Sequence, residues 1–291
     1  MVTETPLTVR RHEHVAVITL SRPDNRNTVN YPMLDGLIEA VDELDRDDEV
    51  RAVVVTGEGR FFSAGTDLSA PDGYAADGSD FKPLRGGDRD VGGQLAIRIF
   101  DSTTPFIAAF NGTAVGIGVT MTLPMDIRIA SRGARFGLPF TRRGIIPESC
   151  ATWFLPRVVG INRAVEWAAT GRIFPATEAL EAGLVSELVD EDKVLERALE
   201  IAREIATGSS PLAVALSRQL MWHGLTADHP IDANRLESTA LLALGGSADV
   251  REGVSAFREK RAPRFDSRPG AQTPIAPPWR STPPFRTNEA G

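Results

Sequence analysis

One glutamate and two glycine-rich turns carry most of the chemistry this chain can do. Glu148 stands in the run Gly144-Ile145-Ile146-Pro147-Glu148-Ser149-Cys150. A carboxyl group held away from water can take a proton from carbon, or return one, near neutral pH. The same position also suits an acidic residue in the first turn of a helix, where the dipole favours it. Residues 147–155 read as such a helix, with Pro147 in its first turn. The first glycine turn is Gly59-Arg60-Phe61-Phe62-Ser63-Ala64-Gly65-Thr66-Asp67-Leu68, and the second runs from Asn111 through Gly112, Gly116 and Gly118 to Met121. Glycine lets a ligand approach the main chain, and a helix starting after Gly116 would aim free N–H groups at it. Two such turns can offer one N–H each to a single carbonyl oxygen. A tight turn without a ligand is the other reading of each.

The remaining reactive residues are less well placed. His12 and His14 flank a strand without metal partners at the usual spacing. His223 and His229 lie in the helical third and read as structural or exposed. Ser149 and Cys150 have no histidine near in sequence to activate them. Asp67 reads as a residue that shapes its loop, and Trp153 as a core residue.

The elements that must position these turns are legible from periodicity. Residues 14–20, 52–56 and 106–110 are short β-rich runs, and the latter two precede the two turns. Leu34, Leu37, Ile38, Val41 and Leu44 form one face of a helix over 31–44. Val91, Leu95 and Ile99 mark another, and residues 119–123 the start of a buried one. Short strands are expected at 126–130 and 134–138, and helices at 162–170 and 177–182, each ended by glycine. Val194, Ala198, Ile201 and Ile205 form the stripe of a longer helix. Ser210-Pro211 opens the next, and Val250, Val254 and Phe257 mark the last. Strand–helix–strand order argues for a layered α/β domain. Residues 69–89 lack a period and read as a loop over the site. In it Asp72, Asp77, Asp80 and Asp88 are solvated residues rather than a metal site. Residues 264–291, rich in Pro, Ser, Thr and Arg, read as an extended tail that Trp279 and Phe285 can pin to a surface.

Composition excludes several function classes. The 291 residues carry a net charge of −7, which gives no basic field for nucleic acid. No apolar run is long enough to cross a bilayer, and the first residues lack the apolar core of a signal peptide. A single cysteine permits no internal disulfide, so a cytoplasmic setting is expected.

Taken together and in order, the motifs resemble the crotonase family, also called the enoyl-CoA hydratase/isomerase family. The matching pieces are Ser21-Arg22-Pro23-Asp24-Asn25-Arg26-Asn27, Phe62-Ser63-Ala64-Gly65-Thr66-Asp67-Leu68, Thr104 to Gly112 and Asp126 to Ser131. Phe136-Gly137-Leu138-Pro139, Gly144 to Glu148 and Glu181-Ala182-Gly183-Leu184-Val185 continue the match, which covers about residues 6–263. The resemblance implies an α/β crotonase-like (ClpP/crotonase) spiral of ββα units with a helical C-terminal trimerisation region. It divides the chain into a core at 1–200, helices at 201–263 and a tail at 264–291. It implies a homotrimer or a dimer of trimers, no separate cofactor, and coenzyme A as part of an acyl-CoA substrate.

By the same resemblance the backbone N–H groups of Thr66 and Ile117 form an oxyanion hole for the thioester. Arg22, Arg26, Ser63, Ala64, Thr66, Asp67, Leu68 and Gly116 are then the residues expected to bind CoA, with Arg22 or Arg26 at a phosphate. Hydratases of the family use two glutamates, and this chain has Thr120 and Phe140 at those positions. Its Glu148 loop is instead similar to that of peroxisomal-type Δ3,Δ2-enoyl-CoA isomerases, whose single catalytic glutamate falls at Glu148. Phe140 is expected to be an apolar wall that raises the pKa of Glu148. The resemblance thus favours an isomerase. A hydratase or other crotonase chemistry, such as attack of a carboxylate on an aryl-CoA, and a non-catalytic CoA-binding scaffold are the alternatives.

Overall fold

A computed structural model describes residues 6–68 and 89–269. The chain opens with an antiparallel pair, β1 (Leu7–His12) and β2 (Val15–Leu20), followed by α1 (Tyr31–Arg46). Asn30 caps α1 through the N–H of Met33. Three successive segments then each give one strand to a large sheet and one to a small sheet. These are β3 (Ala52–Gly57) with β4 (Phe61–Ser63), β5 (Phe106–Phe110) with β6 (Thr113–Val115), and β7 (Ile127–Ser131) with β8 (Arg135–Gly137). Helix α2 (Val91–Phe100) follows the first pair and the four-residue α3 (Ile117–Thr120) the second. After the third come α4 (Ala151–Val159) and α5 (Ile161–Thr170). This repetition is the expected winding of ββα units, and β9 (Ile173–Pro175), α6 (Ala176–Glu181) and β10 (Glu187–Val189) complete it. The large sheet has the order β1-β2-β3-β5-β7-β10, parallel from β2 onward, and the small one the order β4-β6-β8-β9.

Both faces of the central strands β2, β3 and β5 are buried, which is why these are almost continuously apolar instead of alternating. Val53, Val55, Phe106 and Ala108 face the core shared with α1 and α2. Ala52, Val54, Ile107 and Ala109 face α7 (Val194–Gly208). The face of α7 that meets them is Val194, Ala198, Ala202 and Ala206. The expected stripe named Ile201 and Ile205 in place of the last two, and these lie only partly buried at its margin. Small side chains at i, i+4 spacing let the helix axis come close to the sheet, so alanine holds the centre and isoleucine the edge. The expected boundary at residue 200 falls within this helix.

A line of aromatic rings joins the two sheets beneath the glycine turns. Phe62 meets Phe110 at 4.6 Å, Phe110 meets Phe136 at 5.0 Å, and Phe136 meets Phe174 at 6.0 Å between centroids. Phe174 stacks on Trp167 at 3.9 Å. All five are fully buried. Each of Phe62, Phe110 and Phe136 lies just before a segment of the site, so this packing fixes three loop roots against one another.

Three further helices follow: α8 (Pro211–Gly224), α9 (Pro230–Leu244) and α10 (Ala248–Glu259). Ser210 caps α8 as expected, whereas α9 carried no expectation of its own. Arg218 of α8 is nearly buried, with its guanidinium 2.8 Å from the Asp126 carboxylate. It also donates to the carbonyls of Ile99, Phe100 and Ser102 at the end of α2. Val250, Val254 and Phe257 do lie on α10 but are exposed, with Phe257 84% accessible. Met221, Leu241 and Leu242 are exposed as well. Among the described residues no helix is long and apolar enough to cross a membrane. The loop expected at 69–89 lies outside the described residues except for Arg89, as does the tail beyond residue 269 with Trp279 and Phe285.

Candidate active site

The second turn is built by Gly116. Its backbone, at φ 57° and ψ −125°, is one that side chains rarely tolerate. The Gly116 N–H donates to Gly137 O at 2.9 Å, tying the turn to β8. Its carbonyl accepts from the N–H groups of Val119 and Thr120 at 2.9 and 3.0 Å, which starts α3. The N–H of Ile117 is then an unshared donor of the first helical turn, with no acceptor among the described residues.

The first turn is held from the side by residues 22–29. Val29 donates to Gly65 O and Asp67 donates to Val29 O, both at 2.8 Å. In this parallel bridge the N–H of Thr66, the residue between them, faces away from Val29 and has no acceptor among the described residues. Gly65 has φ 98°, and a Cβ there would lie only 2.9 Å from Val115 O. The two turns therefore touch, backbone to backbone, through Gly65 and Gly116. Ser63 is buried with its Oγ accepting from Gly65 N–H at 3.2 Å, and the Ala64 N–H donates to Arg26 O at 3.0 Å. Leu68 is exposed.

Arg22 and Arg26 differ sharply. Arg22 donates to Asp67 Oδ2 at 2.8 Å and to Thr28 O at 2.6 Å, so its charge is committed inside the fold. Arg26 is exposed, with its guanidinium 5.7 Å from the ring centre of Phe61. Between them Asn27 is buried. It accepts from Arg22 N–H and donates to the carbonyls of Glu58 and Phe61.

Glu148 does not lie in a helix. Helix α4 begins at Ala151, not at Pro147 as expected, because Ser149 and Cys150 are both left-handed, with φ 58° and 55°. This double turn brings the carboxylate back against α3 and α2. Thr120 donates its hydroxyl to Glu148 Oε1 at 2.6 Å, and the Ser149 hydroxyl donates to Oε2. Thr120 and Ser149 are both fully buried. Gly92 in the first turn of α2 closes the other side. A Cβ at Gly92 would collide with Oε2 of Glu148 and Oγ of Ser149, and would lie 3.2 Å from Ile117 Cδ1. Glu148 and the Ile117 side chain of the second turn thus meet at Gly92, and the ring tip of Phe140 lies 3.8 Å from the Cβ position of Gly116 in the same turn.

Burial pushes the Glu148 carboxyl up to about 7; the Ser149 and Thr120 hydroxyls pull it down, and the charge of Asp90 pushes it up further. Asp90 itself caps α2, accepting from Gly93 N–H at 2.7 Å. Burial, then Asp90, raises the thiol of the neighbouring Cys150, with Arg89 opposing and Glu148 adding. Trp153 packs on Phe100 and Phe154, with Arg157 over its ring at 3.9 Å. His14 Nδ1–H donates to Glu49 O at 2.9 Å, and His229 caps α9.

Sequence reasoning did not find Asp90, Gly92 or Ser149. The signal was present for two of them: a glycine pair in the opening turn of a helix is unfavourable and needs a packing reason, and Asp90 is a normal capping residue. Ser149 had no such signal.

The arrangement offers two unshared N–H donors from touching turns, and beside them a carboxyl group poised to gain or lose a proton near neutrality. Comparison with known proteins supplies its context. The family profile described as enoyl-CoA hydratase/isomerase matches residues 10–268. An enoyl-CoA hydratase of Alternaria alternata is 44% identical over 252 residues, covering 86% of this chain and 82% of the relative. A 1,2-epoxyphenylacetyl-CoA isomerase of Escherichia coli is 37% identical over 257 residues, covering 86% and 94%. The crystal structure of a probable enoyl-CoA hydratase/isomerase from Mycobacterium abscessus superimposes with a TM-score of 0.82 at 36% identity, covering 90% of this chain and 99% of that one.

Proposed function

The chain belongs to the enoyl-CoA hydratase/isomerase family and is an acyl-CoA enzyme of it, and we propose that its reaction is the conversion of 3-enoyl-CoA to 2-enoyl-CoA with Glu148 as the proton carrier. The observation that carries this reading is the buried Glu148 carboxylate, held among the described residues against the second turn. Thr120 donates to it, Phe140 lies over Gly116 of the second turn, and Asp90 caps α2. The thioester oxygen is taken by the N–H groups of Thr66 and Ile117. Each such donor contributes about 3 kcal/mol to the enolate as charge develops on oxygen. The ionised Glu148 removes a proton from C2, the electron pair moves into the dienolate, and the same proton returns to C4. A carboxyl group near 7 can perform both halves. Arg26, exposed beside the first turn, is the better partner for a CoA phosphate, since Arg22 is bound to Asp67. Ser63, Ala64, Asp67, Leu68 and Gly116 shape the rim around the thioester.

A hydratase is the second reading, favoured by the name of the Alternaria relative, an enoyl-CoA hydratase. Hydration asks for an activated water and a separate proton, which two carboxylates deliver more easily than one. The exposed apolar face of α8, α9 and α10, with Met221, Leu242 and Phe257, supports assembly of the chain as a trimer or a dimer of trimers. A single thiol suits a reducing, cytoplasmic setting.

The deciding experiment incubates the protein and Glu148→Gln with 3-enoyl-CoA and 2-enoyl-CoA, with products followed by mass and retention. Conversion of the 3-enoyl to the 2-enoyl form at unchanged mass, reduced by roughly 10²–10⁴-fold in the variant, is expected. A product heavier by one water, formed equally by the variant, would overturn the assignment.

A further inference from the structure

Both oxygens of the Glu148 carboxylate are already held, each by a different hydroxyl, one from α3 and one from the turn before α4. Thr120 sits at the end of α3 with its own N–H bound to Gly116 O, so its side chain is fixed by the same turn that frees the Ile117 N–H. Ser149 follows Glu148 directly and reaches Oε2 because its backbone is left-handed. A non-glycine residue in that conformation stores strain, and it is retained here beside a reactive group. Oε2 lies against α2 in the space that a Cβ at position 92 would take, which only glycine leaves free. A carboxylate has about four acceptor sites. With two occupied, one remains on each oxygen.

We propose that Thr120 is a positioning residue, which together with Ser149 fixes the plane of the Glu148 carboxylate so that one acceptor site on each oxygen stays open toward the acyl chain. The inference rests on the isomerase reading. A 1,3-transfer joins two carbons of the same face, and a carboxylate that cannot spin reaches both without losing its aim. The residue type matters: a threonine here is a hydroxyl donor that serves Glu148 and cannot itself act as an acid or base near neutral pH. Both hydroxyls also favour the ionised form and so offset part of the burial that raises its pKa.

The test uses Thr120→Val, which keeps the shape and removes the hydroxyl, with Thr120→Ser as the rescue and Ser149→Ala as a second probe on the other oxygen. Protonation of Glu148 is followed by infrared titration of its carboxyl band, identified by its loss in Glu148→Gln. In parallel, kcat and KM are measured against pH with 3-enoyl-CoA. Thr120→Val should raise the titration midpoint by about one pH unit, since a hydrogen bond to a charged group is worth that much. It should lower kcat at pH 7 at least tenfold with KM nearly unchanged, and Thr120→Ser should restore both. Ser149→Ala should move the midpoint in the same direction. A midpoint unmoved in folded Thr120→Val and Ser149→Ala overturns the proposal. A moved midpoint in a protein that converts no 3-enoyl-CoA leaves the grip on Glu148 supported and overturns the isomerase reading instead.

Discussion

Replacing Glu148 by glutamine should remove activity and, above neutral pH, add stability. Glu148 is raised from an ordinary 4.5 to about 7 by burial. At 1.36 kcal/mol for each pH unit, that difference amounts to about 3 kcal/mol. The folded protein holds this proton more tightly than the unfolded chain does. Between pH 4.5 and 7 the unfolded state therefore binds fewer protons, and stability falls as pH rises through this window. Below it the carboxyl is neutral in both states and carries no penalty; above pH 7 the whole penalty is present. Glutamine is neutral throughout and fills nearly the same volume. Urea unfolding of both proteins, at one fixed protein concentration, should give a Glu148→Gln minus wild-type difference that is flat well below pH 4.5. The difference should rise by about 3 kcal/mol by pH 8. Carboxylates that hold low pKa values, such as Asp45 among its Ser102, Thr103 and Arg98 partners, titrate alike in both proteins and cancel. A difference independent of pH would mean that Glu148 is not desolvated. A falling difference would mean that the site stabilises the ionised form outright, and either result refutes the burial argument.

Two further substitutions separate chemistry from stability. Gly92→Ala puts a methyl group where Oε2 of Glu148 and the Ser149 hydroxyl now lie, so the carboxylate must move by roughly 1 Å, a displacement that can cost about 100-fold in kcat. Because alanine favours a helix, the thermal midpoint should change little, and kinetics with intact activity would show that the carboxylate has slack. Arg218→Met strips a buried cation from Asp126 and from three carbonyls at the end of α2. Urea unfolding should register a loss of about 3–5 kcal/mol, and a loss under 1 kcal/mol would show that the pair is neutral to the fold.

Much of the architecture follows from local pattern. The run Ala52-Val53-Val54-Val55 has no polar alternation, so it can only be a strand covered on both faces, and α1 shows its buried stripe at helical spacing. The glycine turns follow their strands because turning back over a sheet needs backbone angles that only glycine adopts freely. The order of these motifs is what makes the family resemblance readable from the chain, and with it Glu148 as the acid and Thr66 and Ile117 as the donors to consider.

Tertiary contact decided the rest. That Arg22 is bound by Asp67, 45 residues away, leaves Arg26 as the exposed guanidinium, and neither fact is written in the local run. The alanine face of α7 was masked by louder isoleucines, because hydrophobicity ranks side chains by size whereas close packing on a sheet selects small ones. The helix expected at Pro147 begins at Ala151, since two left-handed residues, neither of them glycine, turn the chain first. That turn brings together Glu148, Thr120 from 28 residues earlier and Gly92 from the start of another helix. An acid is recognisable by its residue type alone. Its pKa depends on desolvation and on which hydroxyls reach it, and these are set only when distant segments are packed into the same space.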